Sequence, residues 1–371
     1  MENVYLDANA IYEGGTKSIK GSSFKYETQL FELNHLLYTA MLQKSLRENK
    51  YTPDKGKKFK IRERGKPRLI TSNVMADKVV NHVICDEILT PYLNKYLIYD
   101  NGASQKGKGV DFSRRRFEAH LHRYFMRHES NEGYILLGDF SKYYANIPHD
   151  KCFEVLEHFL RRSVKNTDEV RYTLDLLEKV FATFGNDKGI DIGNQVSQNI
   201  GILYPYRFDN YAKIIAGIKY YGRYTDDFYA ISESREELQS LMDGLRVIAK
   251  EYGIVINERK TRIVKLASFY RFLQNGHSLT ETGRVIRKIN PKSITRERRK
   301  LKAYKRLLDK GTITYKEIEN IFKSWLGANF KRMSHRQILN MTELYITLFR
   351  RKPRWKKRHG RLRWLMEHDI K

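Results

Sequence analysis

The spacing of apolar positions changes period along the chain, and each change marks an element. Leu30, Leu33, Leu37, Met41 and Leu42 recur at helical intervals and predict a helix. The stretch Gly14 to Ser23 before them is polar and reads as a loop, whose lysines and backbone amides would also suit phosphate. Residues 57–62 and 67–70 flank Gly65-Lys66, the pattern of two strands joined by a tight turn. Helices are expected near 74–95 and 111–128, with a glycine-rich basic loop at 101–109 between them.

In the centre, residues 134–140 form a short apolar run ending in Asp139 and Phe140, as in a buried strand. Helical patterns follow at 150–162, 168–184 and 195–215. Ile218 to Tyr224 and Phe228 to Ser232 are aromatic and β-branched runs separated by Thr225-Asp226-Asp227, a hairpin with two carboxylates at its tip. A helix at 235–252 and strand pieces at 254–256 and 263–264 come next. From about 290 the pattern is helical and basic, with segments at 296–308, 315–330 and 336–349 and a boundary expected near 275–290. No internal repeat is visible.

Composition adds a partner. The 371 residues carry a formal charge of +27, an excess that points to a polyanion. Residues 271–371 hold 28 Lys and Arg against 8 Asp and Glu, a balance of +20 that leaves +7 for the rest. With 41% hydrophobic residues the chain is not a disordered basic tail. No apolar run approaches the roughly 18 residues of a membrane span. No signal peptide is evident, and Cys85 and Cys152 alone make neither a disulfide framework nor a Cys-rich zinc site. A cytoplasmic protein without membrane partners is expected.

Asp139, Asp226 and Asp227 each end or interrupt an apolar strand, where an isolated ionised carboxylate is costly. Carboxylates from neighbouring strands can hold two divalent ions about 3.5–4 Å apart for phosphoryl transfer. The hard oxygen ligands suit Mg²⁺. An Asp-Asp dipeptide taken alone is more simply a turn.

The surrounding strings decide between these readings. Asp139-Phe140-Ser141-Lys142-Tyr143-Tyr144, then Ile192-Gly193-Asn194-Gln195-Val196-Ser197-Gln198, then Tyr224-Thr225-Asp226-Asp227, resemble in order and spacing the palm motifs of reverse transcriptases. Residues 62–70 resemble the fingers hairpin, Asn257 to Thr261 the lysine motif and Phe269 to Leu273 the primer-grip turn. The resemblance implies an α+β right-hand polymerase. Its parts would be an N-terminal extension (1–50), fingers (51–133), a palm (134–275, with fingers elements at 150–190) and a helical basic thumb with C-terminal tail (276–371).

The resemblance also implies roles. Asp139 and Asp226, with Phe140, would sit at two Mg²⁺ ions, or Mn²⁺, and Asp227 would support them less directly. Lys260 would protonate pyrophosphate or else is a solvated lysine. Tyr144 either packs under the sugar and excludes a 2′-hydroxyl or is a core aromatic. Arg68, with Lys60 or Arg62, would hold the incoming triphosphate. Gly193, Ser197 and Gln198 would lie against the templating pair. The partners implied are an RNA template, a DNA product and dNTPs.

Most of the family has Gln-Gly-x-x-x-Ser-Pro, whereas this chain has Ile192 and Gln198 at the two ends. That variant resembles the reverse transcriptases of diversity-generating retroelements, which copy with adenine errors. Phage-defence enzymes that work with a structured noncoding RNA carry related palms. Retron-type enzymes fit less well, because their Asn-Ala-x-x-His and Val-Thr-Gly elements are missing. No maturase or endonuclease domain follows, which argues against a self-mobile intron protein. A non-catalytic RNA-binding relative is disfavoured by the intact acids, and an RNA-templated RNA polymerase by Tyr144.

Residues 350–364 interleave nine cations with two tryptophans. Arg350, Arg351, Lys352, Arg354, Trp355, Lys356, Lys357 and Arg358 would grip RNA phosphates and stack on unpaired bases. The alternative is a solvated polybasic tail or a membrane-surface helix. The basic surface could receive RNA and a small helical partner together, and the further partners expected are a small basic helical accessory protein or a noncoding RNA.

Overall fold

Helix α1 (Ala8–Ile19) forms where the polar composition suggested a loop, in a computed structural model that describes residues 4–63 and 65–355. Its polarity is satisfied internally: Thr16 and Ser18 hydroxyls donate to Tyr12 O and Gly14 O at 3.2 and 2.8 Å. Its glycines allow close packing, since a Cβ on Gly15 would lie 2.1 Å from His35 Nε2. The single helix expected next is two, α2 (Tyr26–Leu33) and α3 (His35–Arg47), broken at Asn34, whose Nδ2 donates to Leu30 O. Its apolar stripe faces outward: Leu33, Leu37 and Met41 are exposed while Phe31 and Leu46 are buried.

Strands β1 (Lys57–Glu63) and β2 (Lys66–Ser72) pair antiparallel as an isolated, largely exposed ribbon. Then α4 (Met75–Val83) continues through a π-helical turn, Ile84–Leu89, into α5 (Thr90–Leu93). The following elements are α6 (Val110–His128), β3 (Tyr134–Asp139), α7 (Tyr143–Asn146), α8 (His149–Ser163) and α9 (Thr167–Ala182). The helix expected over 195–215 divides into α10 (Gln195–Leu203), α11 (Tyr206–Asn210) and a π-helical turn, Tyr211–Ile215. The first break falls at Pro205, which has no N–H to continue α10.

The hairpin β4 (Tyr220–Tyr224) and β5 (Asp227–Ser232), then α12 (Arg235–Glu251) and β6 (Arg262–Lys265), complete the first unit. Residues 254–256 make only one bridge, Ile256 to Phe140, rather than a strand. The sheet order is β4-β5-β3-β6, every pair antiparallel. Central β3 is covered on both faces, which is why it reads as a continuous apolar run. Gly138 is required there, because a Cβ would meet the Phe228 ring at 2.0 Å. Ser234 caps α12 by accepting from Glu237 N, and the helix buries Leu238, Leu241, Met242, Leu245 and Ala249.

Contacts divide the chain into two units, one up to residue 124 with 132–265 and the other 125–131 with the residues from 266. The second contains a three-stranded antiparallel sheet that the sequence pattern did not announce: β7 (Tyr270–Phe272), β8 (Asn275–Leu279) and β9 (Val285–Lys288). Between β7 and β8, Leu273 and Gln274 both take positive φ, +44° and +71°. Three helices follow close to the expected spans, α13 (Pro291–Asp309), α14 (Tyr315–Asn329) and α15 (His335–Phe349). Capping boxes start α14 at Thr314 and Glu317 and α15 at Ser334 and Gln337. Leu301, Ile318, Phe322, Leu326, Met341 and Phe349 form this unit's own core. Basic α13 buries only Glu297 and Leu301, so its cations are left on the surface. Among the described residues no helix is long and apolar enough to cross a membrane.

Candidate active site

The sheet register brings the acids to one end. Asp139, the last residue of β3, pairs directly with Asp227, the first of β5, and Asp226 precedes it in the β4–β5 turn. The Phe140 N–H donates to Asp226 O at 3.2 Å, which locks the end of β3 to that turn. The Phe140 ring is buried against Phe208 and Phe228, so only its carbonyl is available to a metal.

The three carboxylates are held differently. Asp139 Oδ2 accepts from Lys260 Nζ at 2.6 Å and from Asn257 Nδ2 at 3.0 Å. Asn257 N–H also donates to Asp139 O at 2.8 Å, and Lys260 N–H to Asn257 O at 3.0 Å, so the Asn-Glu-Arg-Lys turn is built onto the end of β3. Asn257 lies within the lysine motif, and its contact with the acid is one that the motif's lysine does not announce. An Asn three residues before the lysine is the signal that was available.

Asp226 and Asp227 are compensated less fully. Burial raises the Asp226 carboxyl above its usual range and Asp139 adds to the rise, while Lys260 and Arg68 offset part of it. Asp227 is pushed up to about 7 by burial first, then by the charges of Asp226 and Asp139. Burial opposes the charge of Lys260, but the hydrogen bond and charge of Asp139 outweigh it and leave the ammonium above its ordinary value. Two half-buried acids whose negative charge is only partly offset are a donor set that suits hard cations. Among the described residues no group of three or more His, Cys, Asp or Glu is arranged to hold a metal ion as it stands; Asp139 is committed to Lys260 and Asn257.

Tyr144 lies beside this cluster. Its hydroxyl is pushed up to about 12 by burial and then by the charge of Asp226. Its ring packs edge-on against Tyr143, and a Cβ on Gly201 would sit 2.6 Å from its oxygen. Tyr143 itself is buried and donates to Gly201 O at 2.9 Å.

The β1–β2 ribbon carries the cations. Arg68 pairs across from Ile61, and Lys60 and Arg62 pair with Leu69 and Pro67. Cross-strand partners share a face and neighbours alternate, so Arg68 lies on one face and Lys60 with Arg62 on the other. Arg68 is the one that acts on Asp226, and its Nε donates to Glu63 Oε2 at 2.7 Å. The ribbon is tied to the 191–193 loop: Thr71 N–H donates to Ile192 O at 3.0 Å, and Thr71 Oγ1 to Asp191 Oδ2 at 2.6 Å. Gly193, at φ +113°, is needed for that approach, because a Cβ would fall 2.7 Å from Thr71 O. Gln198 is exposed on the first turn of α10, whereas Ser197 is fully buried and its hydroxyl has no hydrogen-bond partner.

The tail residues lie in the second unit. Arg350 ends α15 at φ +53°, Arg351 stacks on Tyr315 at 4.5 Å, and Arg354 N–H donates to Glu319. Trp355 packs against the second core with Lys323 over its ring. Lys352 is exposed. Lys356, Lys357 and Arg358 lie outside the described residues.

The family model for reverse transcriptase (RNA-dependent DNA polymerase) matches residues 53–295, well over half of the chain. The chain therefore belongs to the reverse transcriptase family. Its fold is shared with telomerase from Candida albicans in complex with a TWJ fragment of telomeric RNA, at TM-score 0.50 and 12% identity, over 85% of this chain and 65% of that one. Apo telomerase from Candida tropicalis aligns at TM-score 0.50 and 13% identity, over 79% and 61%. A form of the latter truncated from its C-terminal domain gives TM-score 0.48 and 12% identity, over 62% and 54%. The chain thus spans between 54% and 65% of these three telomerase chains. No curated protein sequence matches it. The architecture is the α+β right-hand polymerase fold.

Proposed function

We propose that this chain is an RNA-directed DNA polymerase that extends a primer with deoxynucleotides and releases pyrophosphate. The observation that carries the reading is the meeting of Asp139, Asp226 and Asp227 at one end of β3 and β5, in a chain of this family. Asp139, Asp226 and the Phe140 carbonyl would hold Mg²⁺, or Mn²⁺, with Asp227 adding negative charge behind them. Such ions, when bound, activate the attacking hydroxyl and stabilise the leaving oxygen. Lys260, already charged against Asp139, is placed to give a proton to the departing pyrophosphate. Arg68, on the ribbon face toward Asp226, is the better of the ribbon cations for the triphosphate. Tyr144, whose hydroxyl feels the charge of Asp226, would pack under the sugar.

In this reading the ribbon belongs to the fingers, the four-stranded sheet to the palm, and α13 to α15 to a thumb whose cations track the template–product backbone. Primer extension on an RNA template with Mg²⁺ and either dNTPs or rNTPs tests it. Extension with dNTPs alone is expected; extension with neither, or with rNTPs only, overturns it.

The finer reading is an error-prone enzyme of the diversity-generating type. It rests on Ile192, which removes an amide donor beside Gly193, whose loop is bonded to the ribbon through Thr71. One missing hydrogen bond corresponds to about 0.5–1.5 kcal/mol, or roughly 2- to 12-fold in discrimination. Ile192→Gln should lower misincorporation opposite adenine by that factor, read by sequencing the cDNA. An unchanged error rate removes the argument.

A further inference from the structure

Arg223 is fully buried one residue before the Tyr-Thr-Asp-Asp turn, a place where a charged side chain needs a reason. Its guanidinium forks onto Asp209 of α11, with Nε to Oδ1 at 2.8 Å and Nη2 to Oδ2 at 2.7 Å. Nη2 also donates to Ile202 O at 2.8 Å, near the end of α10, and Nη1 donates to Thr225 O at 2.9 Å. Asp209 is steadied by the Tyr221 hydroxyl, which donates to its Oδ1 at 2.9 Å. The arginine's own main chain is bracketed: its N–H donates to Asp100 O and its carbonyl accepts from Gly102 N–H, each at 3.1 Å.

The acceptors are informative. Thr225 sits at φ +55°, a strained conformation for a β-branched residue, and its carbonyl leads directly into Asp226. Ile202 belongs to the helix whose first turn carries Gln198 and which follows Gly193. One buried side chain therefore ties the acid-bearing turn to the helix that follows the ribbon-bound 191–193 loop. A buried ion pair is weak as a source of net stability, since desolvation offsets most of its attraction. What this one supplies is geometry: four of the five guanidinium donors are fixed at once, which a lysine's point charge cannot reproduce.

We infer that Arg223, held by Asp209, is a positioning residue that keeps Thr225 strained and so sets Asp226 at the place where it takes a divalent cation. This rests on the polymerase reading of the same site. The test compares wild type with Arg223→Lys by thermal melting, by Mn²⁺ titration followed by electron paramagnetic resonance on the full chain with primer–template, and by primer-extension kinetics. A melting temperature within a few degrees of wild type is expected, with Mn²⁺ affinity weakened about tenfold. The kcat should fall about 10²-fold while KM for dNTP stays within about threefold. Asp209→Glu should recover most of the loss relative to Asp209→Ala.

A folded Arg223→Lys with unchanged Mn²⁺ affinity and kcat overturns the inference, as does a loss that tracks melting alone. Should that variant not fold, Asp209→Asn, which keeps the guanidinium and every main-chain acceptor, takes its place with the same readouts. If wild type binds Mn²⁺ but extends no primer, the polymerase reading fails, and the difference in Mn²⁺ affinity still decides the role of Arg223.

Discussion

The end of the β3–β5 pair and the β1–β2 ribbon are both antiparallel two-strand pairings that carry charge, and they manage it in opposite ways. At β3–β5 Asp139 is buried and Asp226 and Asp227 half-buried, and neighbouring groups hold them: Lys260 and Asn257 on Asp139, Phe140 on the Asp226 carbonyl. Along the ribbon, Lys60, Arg62 and Arg68 are exposed, and among the described residues Arg68 alone of these three has a close ionic partner, Glu63. The difference separates groups whose positions folding sets from groups whose positions a ligand sets. Burial and mutual charge raise Asp226 and Asp227 before any cation arrives; the exposed cations contribute when phosphate orders them.

The largest effect on this contrast short of removing the acids belongs to Lys260, the cation that crosses from loop to acid site. Lys260→Ala should lower kcat about 10²-fold with little change in KM, the size expected for a lost proton donor. A loss confined to KM would return it to the role of a solvated lysine.

The ribbon should respond in the other parameter. Arg68→Ala removes a charge-assisted contact worth about 1.5–3 kcal/mol, so KM for dNTP should rise about tenfold or more. Lys60→Ala, on the opposite face, should change it only a few-fold. Equal effects would break the face assignment drawn from the register.

The smallest effect is on stability. Burial, then the charges of Asp226 and Asp139, push the Asp227 carboxyl up to about 7 in the folded chain, against about 3.9 unfolded. Its raised value means that the folded state binds the proton more tightly. That contribution is fully present below the unfolded value and is lost as pH rises through 7. Without divalent ions the protein should melt a few degrees lower at pH 8 than at pH 5.5. Mg²⁺ should recover more at pH 8, and Asp227→Asn should flatten the dependence. Identical melting curves for wild type at both pH values would mean that the acids are already relieved.

What the sequence shows of this contrast follows from what periodicity and residue type can encode. Asp139, Asp226 and Asp227 were legible because acids ending apolar runs are rare, and the ribbon because its strands flank Gly65-Lys66. Helix α1 was hidden by its glycines and hydroxyls, which serve packing and internal hydrogen bonds rather than a loop. The stripe through Leu30, Leu33, Leu37 and Met41 gave the right period, but period does not say which face is buried. Strands β7 to β9 are three to five residues long, with Asn275-Gly276-His277 at the start of the middle one, too short and too polar to announce a sheet. The Arg223–Asp209 pair joins side chains 14 positions apart through burial, which no local pattern records.

The central claim is that the end of β3 and β5 performs nucleotidyl transfer. Single-turnover primer extension on an RNA template, with Mg²⁺ and dNTPs, compares wild type with the Asp226→Ala, Asp227→Ala double variant most directly. Loss of several kcal/mol of transition-state stabilisation predicts a fall of at least about 10³-fold in a variant that still folds and binds primer–template. Extension by that variant at the wild-type rate would contradict the account.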